Sequence, residues 1–114
     1  MGLRDTILAA SDLKAADVEV PEWGVTVQVR EMSAAGRMAF QDAMAGKQGS
    51  DAYLENLARM VILCARDPET GEQVFTDADV DQLKTKSLGA LRCLGEKALE
   101  INRMKESAET AKGN

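Results

Sequence analysis

Three aspartates at alternating positions, Asp77, Asp79 and Asp81, come nearest in this sequence to a reactive constellation. They match the opening of a calcium-binding loop, where carboxylates at the first, third and fifth positions supply hard oxygen ligands. That loop also needs glycine at its sixth position and a bidentate acid at its twelfth. Those positions hold Gln82 and Leu88, so the match fails where the geometry is most demanding. The acids fit instead as solvated charges placed favourably at a helix N-terminus.

Other chemistries fail on residue type. The chain has no histidine, which rules out Ser/His/Asp and Cys/His arrangements and leaves a zinc site on Cys64 and Cys93 two ligands short. Gly46-Lys47-Gln48-Gly49-Ser50 has neither the spacing nor the preceding strand of a phosphate loop. Asp67 and Glu69 fall on an open turn, where nothing raises a carboxyl pKa for acid–base work. The expectation is a protein that is not an enzyme, with no cofactor and no metal. Cys64 and Cys93 each sit in an apolar helical pattern, which predicts two buried free thiols. Whether they are neighbours stays open at this level.

The composition sets further bounds. At 114 residues, 45% apolar and 29% charged, the chain fits a single domain with one modest core. Aromatic residues make up 4%, so Leu, Val, Ala and six Met must fill that core, which favours pliable packing. A net charge of −5 without any run of Lys or Arg argues against a nucleic-acid partner. The longest uncharged apolar run, Met60 to Ala65, is far short of the roughly 20 residues that span a bilayer. The opening MGLRDTILAASD carries charge too early for a signal peptide. A cytoplasmic protein with no membrane association is expected.

The elements that would position any site follow from periodicity. Tyr53, Leu54, Leu57, Val61 and Cys64 recur at spacings of three and four, and Met60, Ile62 and Leu63 make the second half apolar nearly all round. This predicts a central helix over Asp51 to Arg66, with Asp51 as N-cap, Arg66 in the last turn and Asp67-Pro68 ending it. Leu3, Ile7 and Leu8 predict a short helix from Leu3 to Ala10 that docks on the core. Val18 and Val20, then Val25, Val27 and Val29, alternate with polar residues around Pro21-Glu22-Trp23-Gly24, the pattern of an antiparallel hairpin with its valines facing the helices.

Ser33 caps a helix running to about Ala45, and Ser87 caps the last one, where Leu88, Leu91, Leu94, Ala98 and Ile101 form a stripe that Met104 extends. Thr76 and Asp79 resemble a capping box opening a helix with Val80 and Leu83 inward. Gln73-Val74-Phe75 is extended, and whether it adds a third strand stays open. The fold class is mainly α (α+β): a compact helical domain over 1–105, built around the central helix, with a small antiparallel β-hairpin at about 17–31. A flexible polar tail is expected at 106–114.

With no reactive centre, a binding surface is the remaining candidate for function. Trp23, the single tryptophan, sits at the hairpin turn. It either seals the valine face or anchors another protein, since aromatics dominate interface hot spots. The candidate protein-interaction residues are Trp23, Val25, Val27, Val29 and Phe75.

The order of motifs resembles the small tail assembly chaperones of long-tailed bacteriophages. In that family a V-x-V-P-x-W-G hairpin leads into a V-R-x-(L/M)-(S/T) helix start, matched here by Val18, Val20, Pro21, Trp23 and Gly24, then Val29, Arg30, Met32 and Ser33. An apolar helix ending near an Asp-x-x-x-Gly turn and a (L/V)-F-(T/S)-x-x-D segment follow, matched by Asp67 and Gly71, then Val74, Phe75, Thr76 and Asp79. The similarity covers about residues 3–103, and its motifs punctuate structure without marking a binding site. It implies a non-enzymatic protein of the host bacterial cytoplasm that binds the tape measure protein. It would keep that long chain soluble until tail tube subunits polymerise around it. The tail tube protein is a second possible partner, and homo-oligomers fit as well. The alternative is a structural tail or head–tail connector component retained in the virion.

Overall fold

The computed structural model describes residues 2–104, so the tail expected at 106–114 lies outside the described residues. The valine runs pair as their alternation predicts. β1 (Ala15–Val20) and β2 (Val25–Arg30) are antiparallel, with Val18 opposite Val27 and Val20 opposite Val25. Gly24 closes the turn at φ 65, a left-handed conformation that glycine adopts without a Cβ penalty, and donates its N–H to the Val20 carbonyl at 2.9 Å. Ala16, Val18, Val20, Val25, Val27 and Val29 share one face of the pair.

The central helix is present, but its limits differ from those predicted. It is α3 (Gly49–Cys64), with Gln48 as N-cap and Asp51 inside the first turn. The chain leaves helical geometry before the proline: Ala65 and Arg66 form β3, paired with Val29 and Gln28 of β2. Sheet hydrogen bonds claim these two residues, so Arg66 is a strand residue and Pro68 only shapes the following turn. This short segment is the third strand of the β1-β2-β3 sheet. Gln73 joins by an isolated bridge to Arg66, and the Val74 N–H donates to the Ala65 carbonyl at 3.3 Å.

The remaining helices start at the predicted caps. Ser33 Oγ accepts the Gly36 N–H at 3.1 Å at the head of α2 (Ala34–Met44), and Ser87 Oγ accepts the Ala90 N–H at 3.3 Å at the head of α5 (Leu88–Ile101). Asp79 Oδ2 accepts the Thr76 N–H at 2.9 Å, opening a 3-10 turn (Asp77–Asp79) and then α4 (Val80–Leu83), whose Val80 and Leu83 are buried. Helix α3 is enclosed by α2, α4, α5 and β2, and buries Leu57, Ala58, Met60, Val61, Ile62 and Cys64. Gly95 of α5 lets the two long helices approach, since a Cβ there would lie 2.6 Å from Leu57 Cδ2.

One helix does not join this core. α1 (Leu3–Ala9) forms where the spacing predicts, but it does not dock: every residue from 2 to 15 is exposed. Ala10 is extended, and the linker after it leads into β1, the outer strand of the sheet, so the chain is not turned back over the helices.

Candidate protein-interaction surface

The five hairpin and turn residues separate in three dimensions. Val27 and Val29 are 8% and 1% exposed and fill the core beneath the helices, so in this fold their side chains serve packing. Trp23 and Phe75 are half-buried and pack against the same core. Val25, at the hairpin tip, keeps 48% of its surface. The sheet register also divides the set. Ala65 pairs with Val29 and bonds to Val74, which places Phe75 toward the end of β2 away from the Trp23 turn. These residues do not form one patch.

A group of exposed apolar residues lies elsewhere. Leu3, Ile7 and Leu8 are 75%, 59% and 69% exposed on one side of α1, and Leu13 follows in the exposed linker. Scattered exposed apolar residues are ordinary on any protein, and Met38, Tyr53, Val74 and Leu88 are of that kind. Three large aliphatic side chains gathered on a seven-residue helix that buries nothing are not. The spacing revealed the helix, and the absence of any side-chain N-cap, with Gly2 at that position, was the available sign that its own chain does little to hold it.

The charged and sulfur groups are engaged in structure. Glu55 meets Arg59 at 2.8 Å, Lys84 at 3.2 Å and Lys47 at 3.9 Å, joining the α2–α3 connection, α3 and the residue after α4. The hydrogen bond from Arg59, then that from Lys84, holds its carboxyl below the ordinary value of 4.5. Cys64 is buried, and burial pushes its thiol up to about 11. Cys93 is half-buried rather than buried as predicted, because it faces β1, the outer strand of the sheet, its Sγ 3.7 Å from the Glu19 carbonyl. Both are free thiols. Among the described residues no helix is long and apolar enough to cross a membrane.

A family model described as phage tail assembly chaperone matches residues 2–113. The fold is similar to the solved structure of the bacteriophage HK97 tail assembly chaperone, with a TM-score of 0.63, 21% identity, and coverage of 90% of this chain and 96% of that one. At that identity the likeness concerns the fold. No curated protein matches the sequence.

Proposed function

This chain belongs to the phage tail assembly chaperone family, and we propose that it binds the tape measure protein and keeps it soluble while tail tube subunits polymerise around it. The observation that carries this reading is the undocked apolar face of α1. A helix of seven residues is too short to be stable alone in water. Its Leu3, Ile7 and Leu8 gain burial only by meeting another chain's apolar surface, as an amphipathic helix does in a groove. Val25 at the hairpin tip, with Trp23 beside it, is a second contact. Holding requires no chemistry, and the work belongs in the host cytoplasm, where tails are built.

The test is co-expression with a tape measure fragment. The wild-type chain should raise the fragment's soluble fraction and co-purify with it. The triple variant Leu3→Ser, Ile7→Ser, Leu8→Ser should fold and lose both effects. If the variant protects the fragment as well as wild type does, α1 is not the holding element. Mass spectrometry of purified virions should not find the chain, which separates a chaperone from a retained tail component.

A further inference from the structure

A shallow groove of about 510 Å³ opens between the start of β1 and the C-terminal end of α5. Lys14, Lys97 and Arg103 line its walls, and Ala16 and Ile101 give it an apolar floor. Its acid, Glu100, lies 3.5 Å from Lys97 Nζ, and the nearby Glu31 carboxylate accepts the Lys14 backbone N–H at 3.0 Å. The groove thus carries an excess of positive charge on a chain whose net charge is −5.

Arg103, at the groove, has a left-handed backbone. It has φ 56, one residue past Asn102, where the Met104 N–H closes back on the Leu99 carbonyl at 2.8 Å. This left-handed position after a helix is the one where glycine fits and a residue with a Cβ is strained. Among the described residues no carboxylate pairs with its guanidinium. Among the described residues no ion pair therefore accounts for arginine at this place.

We infer that the groove docks an acidic polypeptide segment: an amphipathic helix whose Asp or Glu side chains meet Lys14, Lys97 and Arg103 while its apolar side chains rest on Ala16 and Ile101. Charge complementarity selects the acidic partner. A polyphosphate fits poorly, since its affinity comes from many clustered cations and this groove is lined by three. The inference does not depend on the tape measure reading, because the groove and α1 are separate surfaces.

Fluorescence anisotropy with the full chain tests it, using a labelled synthetic amphipathic helix with a leucine face flanked by glutamates. Its lysine-flanked counterpart and a DNA duplex of similar length serve as comparisons. The acidic peptide should bind, more weakly as salt rises, and the other two should not. Lys97→Ala should weaken binding by about tenfold, as loss of a charge-assisted contact does. Arg103→Gly should raise the melting temperature by relieving strain and still weaken binding, whereas Arg103→Lys should keep most of it. The Leu3, Ile7, Leu8 triple variant should bind like wild type. Equal binding of acidic and basic peptides, preference for DNA, or unchanged binding by Arg103→Gly would each overturn the assignment.

Discussion

Asn102 ties the end of α5 to the start of α2: its Oδ1 accepts the backbone N–H of Met32 at 2.8 Å. Its Nδ2 donates to the Ala98 carbonyl at 2.8 Å and reaches Cys64 Sγ at 3.6 Å, so one amide joins three parts of the core. With 7% of its surface exposed, it makes these bonds in a buried setting. Asn102→Leu should cost about 1–3 kcal/mol by leaving the Met32 N–H unpaired. Urea denaturation checks this, and Ser33→Ala is the comparison, an exposed cap whose loss costs roughly 1 kcal/mol.

Asn102 carries no local sequence signal, while Ser33 and Ser87 do, and the difference is one of range. A cap needs an oxygen and an N–H three residues on, and a strand pair needs alternation on both sides of a turn. Both signals lie within a few residues. Asn102 looks like a solvated helix end until Met32, 70 positions away, arrives beside it. Ala65 and Arg66 continue the helical pattern in sequence and become a strand only because β2 offers its edge. The candidate site was legible to the same extent. Alternation groups Val25, Val27 and Val29, but the helices cover two of them and leave the tip open. The spacing of Leu3, Ile7 and Leu8 specifies a helix and is silent about whether anything covers it.

Gly95 is fixed by Leu57. A methyl group at Gly95 would stand 2.6 Å from Leu57 Cδ2, so the Leu57 side chain, 3% exposed, would have to shift within the core. Overpacking of this kind costs about 1–3 kcal/mol, against a gain of roughly 1 kcal/mol from replacing glycine in a helix. Gly95→Ala should therefore destabilise on the order of 1 kcal/mol. Leu57→Ala alone should cost about 2–5 kcal/mol. In the double variant the methyl occupies part of the vacated space, so the two costs should sum to more than the measured total.

Glu55 should make stability depend on acid. Its lowered pKa means the unfolded chain takes up this proton before the folded one does. The contribution is complete above the ordinary value of 4.5 and disappears as pH falls through the lower folded value. Glu55→Gln should melt below wild type at neutral pH, and the two melting curves should converge in more acid buffer. Parallel curves across the whole range would mean that Arg59, Lys84 and Lys47 add nothing to Glu55 beyond packing.

The two thiols should report on separate regions. Cys64 is buried with its thiol pushed up to about 11, so the reactive thiolate is scarce as well as shielded. Cys93 is half-buried, on a turn well inside α5. In Ellman's assay at mildly alkaline pH, Cys93 should react first and Cys64 at the rate of unfolding. Cys93→Ser should remove the fast phase, and urea should make both react together.

Helix α1 should behave as a unit apart from the core. Because Leu3, Ile7 and Leu8 are 75%, 59% and 69% exposed, their triple serine variant should melt with the wild type, within the roughly 0.5 kcal/mol typical of surface changes. Helices this short have local stabilities near zero, so amide hydrogens of α1 should exchange almost as fast as in an unfolded peptide. The amides of α3 and α5, closed into the core, should exchange slowest. On addition of a tape measure fragment, α1 and the hairpin tip around Val25 should gain protection while α3 and α5 change little, because α1 and the tip are the segments that exchange solvent for a partner. A melting temperature that falls in the triple variant would show that α1 already lies on its own chain, and protection appearing elsewhere would move the client to another face.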